Sequence, residues 1–81
     1  METTKKIEVT AVFYPNGDIR PLHFTWQKRI FHVQAAGRQW QEDDRRHFLV
    51  MVEGELMFEL VFSTAEAGWF IGRQPTGQWT A

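Results

Sequence analysis

The stretch RHFLVMVEGELMFELVF, Arg46 to Phe62, has apolar residues on both sides of Gly54 at a period of two. Side chains two residues apart lie on the same face of a β-strand, so the stretch predicts two strands joined as a hairpin at Gly54. A turn with an odd number of residues pairs even-numbered positions with even-numbered positions. One face of the hairpin then carries seven apolar side chains: Phe48, Val50, Val52, Leu56, Phe58, Leu60 and Phe62.

The opposite face of this hairpin is also apolar. A shift of the pairing by one residue would mix His47, Glu53 and Glu59 into the first face, so burial should fix the register strongly. We call the opposite side of the sheet the second face, and it is too apolar for the solvated face of a monomer. Closure of a barrel, the tail with Trp79, or a partner is expected to cover its residues, which are Leu49, Met51, Met57, Val61 and Phe70.

The composition and charge of the chain restrict the class of protein to which it can belong. A chain of 81 residues has room for one domain, and 43% hydrophobic and 15% aromatic residues favour a folded globule over a disordered chain. The chain has no cysteine, which excludes disulfides and thiolate chemistry and suits a cytoplasmic protein. The first ten residues, METTKKIEVT, contain no long apolar segment, so neither a secretory signal nor a membrane span is expected there. A net charge of −1 gives no general attraction to nucleic acid or anionic membrane.

The N-terminal third predicts an edge hairpin. Apolar and polar residues alternate from Ile7 to Phe13, and PNGD follows at 15–18. Asn-Gly favours a two-residue type I′ turn, since both of its central residues need positive φ. That turn would pair Ala11 with Leu22, Val9 with Phe24 and Ile7 with Trp26. Pro15 and Pro21 lack an N–H, which favours a position at the edge of the sheet.

Four more strands follow the edge hairpin. A two-residue turn at Gln27-Lys28 would pair Phe24 with Phe31 and Leu22 with Val33, although neither turn residue favours positive φ. Gly37 is a natural position for a β-bulge in the third strand, and residues 41–45 are predicted as a charged loop. Residues 63–68 are predicted as a loop or a short helical turn. A last strand, 69–73, would place Trp69 and Ile71 beside Phe62 and Leu60.

These elements predict an all-β fold: about six antiparallel strands in a meander that forms a small barrel or a strongly bent sheet. Residues 5–74 are predicted as the single domain, with 1–4 and 75–81 as tails. No stretch has a helical period over three turns.

A set of aromatic motifs resembles a known family. The motifs are F-x-W-x-x-R-x-F-x-V from Phe24 to Val33, then Trp40, HFLV at 47–50, FELVF at 58–62 and GWFI at 68–71. The chain is similar over residues 21–73 to small bacterial all-β domains of unknown function, which occur alone or attached to proteins related to lesion-bypass DNA polymerases. Lys28 stands where the family tends to have glycine before the arginine. The resemblance implies no catalytic residues.

Basic and aromatic residues near strand ends give one candidate binding surface. Small barrels that bind single-stranded nucleic acid combine cations with aromatic stacking platforms. The residues of this type are Lys28, Arg29, Arg38, Trp40, Arg45, Arg46 and Arg73.

Other polar clusters have simpler explanations. In the predicted register His23 faces His32 across two strands, which is more typical of solvated strand residues than of a metal site. The consecutive acids Glu42, Asp43 and Asp44 fit a solvated loop. Glu59 lies among apolar residues, and a cross-strand pair with His47 is expected.

The sequence therefore favours a binding domain over an enzyme. It contains no nucleophile–base set, glycine-rich phosphate loop or metal-ligand spacing, and we expect no cofactor and no metal. We predict a non-enzymatic binding or protein-interaction module, with a protein partner or self-association through the second face. The alternative is a single-stranded nucleic-acid-binding accessory domain in DNA repair. No membrane interaction is expected.

Overall fold

The computed structural model describes residues 6–76, and the side chains of residues 6–72. Six antiparallel strands form one strongly curled sheet, a half-barrel, in which every strand pairs with its neighbours along the chain. The predicted all-β meander is confirmed. The strands are β1 (Val9–Phe13), β2 (Ile19–Trp26), β3 (Arg29–Glu42), β4 (Arg45–Val52), β5 (Leu56–Ser63) and β6 (Gly68–Thr76), with a 3-10 turn at Glu53–Glu55 between β4 and β5.

The hairpin of β4 and β5 has the predicted register. Its turn contains three residues, so Val52 pairs with Leu56 and Phe48 pairs with Leu60. Gly54 has a φ of 81°, in the left-handed region that glycine adopts without a steric penalty. Five side chains of the even-numbered face are at most 1% exposed, namely Phe48, Val50, Val52, Phe58 and Leu60.

Aromatic packing on Phe58 curls the N-terminal strands over this face. The ring centroid of Phe58 lies 4.9 Å from that of Phe24, 5.1 Å from that of Phe31 and 5.4 Å from that of Trp26. Aromatic rings whose centroids lie 4.5–7 Å apart in tilted or edge-to-face geometry attract each other. This attraction adds to the stabilisation that comes from burying their surface. Phe58 therefore packs β2 and the start of β3 onto the central hairpin.

The first turn differs from the prediction of a two-residue loop. Phe13 pairs with Ile19, and the N–H of Tyr14 donates to the carbonyl of Asp18 at 2.9 Å, which leaves a three-residue loop. Only Gly17 has positive φ there, whereas a type I′ turn would need it at Asn16 as well. Pro15 instead occupies the second position of a turn that closes from Gly17 N to Tyr14 O, a position that its fixed φ favours.

A bulge in the β1–β2 pair then restores part of the predicted register. The register shifts between Thr10 and Ala11, so Ala11 pairs with Pro21 and the predicted pairing with Leu22 is wrong. Beyond the bulge Val9 pairs with Phe24 as predicted. Leu22 is left exposed, while Ile19 and Pro21 before it and Phe24 after it are buried.

Pairing between β2 and β3 is short. Phe24 pairs with Phe31 and His23 with His32, as predicted, but Val33 pairs with Val52 of β4 and not with Leu22. The reason is that β3 leaves β2 at this point and continues along β4.

Strand β3 bends through two irregularities. One lies between Val33 and Ala35, and the other lies between Ala36 and Gln39, where the bulge at Gly37 was predicted. Glu42 pairs with Arg45, so the predicted five-residue charged loop is wrong. It is a two-residue turn in which Asp43 has positive φ.

The last strand extends the core. Trp69 pairs with Phe62 and Ile71 with Leu60, as predicted, after a turn at residues 64–67. Ile7 forms a single bridge to Trp69, not the predicted pair with Trp26, and it brings the two ends of the sheet together at one point. Trp79 lies outside the described residues. No helix in the part of the chain that the structure describes is long and apolar enough to cross a membrane.

The β2–β3 turn yields a stability prediction. Gln27 and Lys28 have φ values of 50° and 67°, a conformation that costs a non-glycine residue roughly 1–2 kcal/mol. Glycine avoids that cost but loses more chain entropy on folding, so Lys28→Gly should stabilise the domain by about 0.5–1 kcal/mol in urea denaturation. Arg20→Gly, in the extended β2, is the control and should destabilise it. Equal destabilisation by both variants would contradict the proposed strain.

Candidate functional site

Four side chains line up across β3–β6 on the second face. Trp40 pairs with His47, His47 with Val61, and Val61 with Phe70. The opposite side of the same strands is the hydrophobic core, so this row is directed away from it. The row places two aromatic rings, an imidazole and an aliphatic side chain next to one another.

A hydrogen-bonded pair lies beside this row. The Nδ1 atom of His47 is 2.7 Å from Oε2 of Glu59, and the two side chains are 13% and 9% exposed. The expected pair of His47 and Glu59 is thus confirmed; it is diagonal, because the direct register partner of Glu59 on β4 is Leu49. A buried carboxylate requires such a partner, since removing its charge from water is costly.

The imidazole ring of His47 is held on its other sides as well. Its plane is 5° from that of Trp40, with the ring centroids 4.9 Å apart. Its Nε2 lies 3.4 Å from Oε1 of Glu42, without hydrogen-bond geometry to any described residue. Both ring nitrogens therefore face carboxylates, and the ring orientation is fixed by stacking.

Gly72 makes room for Glu59. A Cβ atom at this position would lie 2.7 Å from Cδ of Glu59, 2.8 Å from its Oε2 and 2.9 Å from Cγ2 of Val61. Real Cβ atoms do not approach other atoms so closely, so any side chain at position 72 would displace the carboxylate. The backbone of β6 thus packs directly on the acid.

An open pocket of about 360 Å³ is formed over this pair. Its volume is at the small end of the range of about 300–1,000 Å³ for ligand sites. Phe70 and Val61 supply apolar wall, while Arg45 and Glu66 are exposed. The complete lining is Arg45, His47, Glu59, Val61, Glu66, Phe70, Ile71 and Gly72.

The candidate basic and aromatic residues do not form one surface. The Arg38 guanidinium lies 5.3 Å from the centre of the Trp40 ring, and Arg45 lines the pocket nearby. Arg46 is directed elsewhere, because its Nη1 donates to the carbonyl of Gly17 at 2.7 Å.

Two further candidates of this set lie apart from Trp40. Lys28 and Arg29 are at the β2–β3 turn, where the Arg29 guanidinium is 4.9 Å from the centre of the Phe31 ring. The side chain of Arg73 is outside the described part of the chain. Among the candidates whose side chains the structure describes, Arg38 contacts Trp40, and Arg45 lines the pocket beside His47, on which Trp40 stacks.

The second face is less exposed than its composition indicates. Val61 is buried, and Leu49, Met51, Met57 and Phe70 are half-buried. The large apolar side chains that the structure exposes are in the N-terminal half, and sequence reasoning missed them: Phe13 (56%), Tyr14 (41%), Leu22 (36%) and Ile30 (57%). Leu22 was missed because its exposure depends on the β1–β2 bulge.

In the other histidine pair, His32 is exposed and His23 is half-buried. The His23 and His32 ring centroids are 5.7 Å apart, and Glu53 accepts from the backbone N–H of His32 at 2.7 Å and lies 3.1 Å from its Nδ1. Within residues 6–72, no group of three or more histidine or acidic side chains could hold a metal ion.

Glu66 and Gly72 line the pocket but were not recognised from sequence. The contact between Gly72 and Glu59 depends on register shifts in the β5–β6 pair. The signal that could have found it is Gly72 itself, because a glycine inside a strand marks a candidate β-bulge, as at Gly37. Glu66 comes from the β5–β6 turn, which the strand pattern does not position.

No protein-family model matches this chain, and neither the curated proteins nor the solved structures that were compared with it gave a match. The resemblance to small bacterial all-β domains stays a prediction.

The packing of Gly72 on Glu59 yields a second prediction. Gly72→Ala should destabilise the domain by about 1–3 kcal/mol, the usual cost of forcing extra atoms into a packed site, as measured by urea denaturation. Gly37→Ala is the matched control, since its Cβ would meet only Leu49 atoms at 3.5 and 3.8 Å. In the Glu59→Ala background the cost of Gly72→Ala should fall, because the displaced carboxylate is gone. An unchanged cost in that background would contradict the contact.

Glu53 yields a prediction of pH dependence. Hydrogen bonds from its own backbone N–H, and then from the backbone N–H and ring of His32, lower the pKa of Glu53 from 4.5 to about 2. A carboxyl whose folded-state pKa is depressed stabilises the fold above its unfolded pKa, and this contribution disappears as the pH falls from 4.5 to 2. Comparison of urea stability for the native chain and Glu53→Gln should show a difference that shrinks across this window. A difference independent of pH would contradict the assignment.

Proposed function

We propose that this domain is a non-enzymatic interaction module that binds a peptide segment of a partner protein at the pocket over His47 and Glu59. The observation that carries the proposal is the composition of that pocket. Apolar wall from Phe70 and Val61 surrounds a buried polar pair, and exposed groups of both charges, Arg45 and Glu66, lie beside it.

The size and polarity of the pocket favour a peptide. A volume of about 360 Å³ suits one or two side chains better than a large cofactor. Peptide backbones present both donors and acceptors, and the pocket offers the Arg45 guanidinium as a donor and the Glu66 carboxylate as an acceptor. A single anchoring side chain in a well-packed pocket often carries much of the binding free energy.

The state of His47 supports a binding role over catalysis. A general base needs a ring nitrogen within about 2.6–3.2 Å of the heavy atom whose proton it removes. Here Nδ1 is hydrogen-bonded to Glu59, which leaves Nε2 as the nitrogen that could act as a base, and Nε2 is buried and directed at Glu42. Ser63, on the same side of β5, does not supply a nucleophile for this histidine. Its hydroxyl is buried, and its oxygen accepts a hydrogen bond from the N–H of Glu66 at 3.2 Å.

Single-stranded nucleic acid is the second candidate ligand. The contact between Arg38 and Trp40 favours it, because guanidinium and indole groups stack on bases, and the lesion-bypass association of the resembled family supports it. Against it, His47 already stacks on Trp40, and Glu42, Asp43 and Asp44 follow on the same hairpin. The mixture of basic and acidic side chains around Trp40 supports a peptide ligand over a nucleic acid. A cytoplasmic location is part of the proposal and is supported by the lack of cysteine.

The proposal can be tested with a random-peptide phage library as the probe. Selected peptides should bind with micromolar dissociation constants, and Arg45→Glu and Phe70→Ala should each weaken binding at least tenfold. Lys28→Glu and Ile30→Ala are matched controls at exposed positions away from the pocket and should leave affinity unchanged. Selection of no peptide, or affinities that respond only to the control variants, would contradict the proposal. Salt-sensitive binding of an oligo(dT) strand that Trp40→Ala abolishes would favour the alternative.

A further inference from the structure

A second pocket, of about 230 Å³, lies at one end of the core face of the sheet. Gln41 pairs with Arg46, and Arg46 pairs with Phe62, so these three side chains lie next to one another across β3, β4 and β5. The loop between β1 and β2 contributes the other side, because Gly17 and Ile19 also line the pocket. We call this space between the edge hairpin and the end of the central hairpin the mouth pocket.

Two guanidinium groups at the mouth pocket have no carboxylate partner among the described residues. Arg45 and Arg46 both line it. The ion pairs within residues 6–72 all involve histidine, so neither arginine takes part in one there. Arg46 is half-buried, and a charge that has lost part of its hydration gains from an opposite charge beside it. An anionic ligand would supply that charge.

Arg46 is already oriented for such a ligand. Its Nη1 donates to the carbonyl of Gly17 at 2.7 Å, which joins β4 to the loop between β1 and β2. A guanidinium has more N–H groups than this one bond uses, and its planar fork matches the geometry of an oxyanion. A side chain that is already held in place loses less conformational entropy when a ligand binds.

The charges around the mouth pocket favour a phosphate group over a carboxylate. Asp44 also lines the pocket, so two arginines face one acid and the local excess is positive. A phosphate monoester has a charge of about −1.5 to −2 near neutral pH and three acceptor oxygens. A carboxylate has a single charge, and one guanidinium is enough to pair with both of its oxygens. Because attraction grows with the charge of the ligand, the phosphate gains more from both arginines.

An exposed aromatic ring lies beside the mouth pocket. Phe13 is 56% exposed, and its ring centroid is 5.6 Å from that of Phe62, which lines the pocket. An exposed aromatic side chain next to cationic groups is a platform on which a planar ring can stack. A ligand with both a phosphate group and a planar ring would use both features.

We propose that the mouth pocket binds a phosphate group that belongs to a molecule with an aromatic ring, which is the chemistry of a nucleotide. Arg45 and Arg46 bind the phosphate oxygens, and the ring of the ligand stacks on Phe13. The site is separate from the pocket over His47 and Glu59, although Arg45 lines both. Arg46 lines the mouth pocket and not the other one, so it distinguishes the two sites.

Calorimetric titration with adenosine monophosphate at low ionic strength tests the proposal. This ligand should bind about tenfold more tightly than inorganic phosphate, which lacks the stacking ring, and about tenfold more tightly than adenosine, which lacks the phosphate. Arg46→Gln should weaken its binding by about tenfold. Arg29→Gln is the matched control, because Arg29 is exposed at the β2–β3 turn, at the opposite end of the sheet, and affinity should not change.

Three results of this titration would overturn the proposal. The first is that adenosine monophosphate does not bind at millimolar concentration. The second is that Arg46→Gln and Arg29→Gln affect its affinity equally. The third is that inorganic phosphate or adenosine binds as tightly as the whole molecule, because the site would then recognise only one part of it.

Asp44→Asn decides the question if Arg46→Gln does not fold. The change removes the negative charge at the mouth pocket, and it keeps the backbone carbonyl of Asp44 that accepts from Thr64 N at 2.9 Å and from Thr64 Oγ1 at 3.1 Å. Adenosine monophosphate should bind roughly two- to threefold more tightly to this variant, because a nearby repulsion is gone. An affinity that stays the same or falls would overturn the proposal.

Amide resonances in NMR spectra locate the ligand. Titration with adenosine monophosphate should shift the amides of Gly17 and Thr64, which line the mouth pocket, and leave those of Phe70 and Ile71 in the other pocket unchanged. Shifts confined to Phe70 and Ile71 would overturn the proposal, because the ligand would then occupy the other pocket.

Discussion

The packing of Phe58 against three aromatic rings of β2 and β3 is the contact on which the rest of the structure depends. Phe58 is fully buried, and its neighbours Phe24, Trp26 and Phe31 come from strands that do not pair with β5. Hydrogen bonds alone would allow the meander to lie nearly flat. The aromatic cluster provides the reason for the strong curl, since burying these rings requires the first strands to fold over the even-numbered face of the central hairpin.

The second face differs from the core because it contains an ionisable side chain. This side chain is Glu59, which is almost fully buried. That burial is compatible with stability because His47 lies at hydrogen-bond distance and because Gly72 leaves space for the carboxylate. The same arrangement leaves a pocket beside the pair. The buried carboxylate in an apolar sheet face thus accounts for two features: the need for glycine at position 72 of β6, and the candidate binding pocket.

Much of the fold could be predicted from the sequence, because burial dictates the parity of strands. The register of β4 with β5, and of Leu60 and Phe62 with β6, follows from apolar residues at a period of two. The prediction was wrong at the first turn, where Pro15 selects a three-residue loop and a bulge then returns Val9 to Phe24. The longer loop shifts the register by one residue, and the bulge shifts it back by one. Val9 therefore pairs with Phe24 as a two-residue loop without a bulge would pair it. The site was less predictable, because its lining depends on register shifts in β6. Gly72 is a bulge signal there, but a glycine in a strand does not show on which acid the shifted backbone will pack.

The single bridge between Ile7 and Trp69 has a consequence for the order of folding. Every strand pair in this sheet joins neighbours along the chain, so each hairpin closes a short loop and loses little chain entropy in doing so. The bridge is different, because it connects two residues near opposite ends of the chain. Its loop is by far the longest, and its closure is favourable only after the intervening hairpins have shortened the effective distance between the two residues. The meander should therefore form by successive addition of hairpins, with the N-terminal segment joining β6 in the last step.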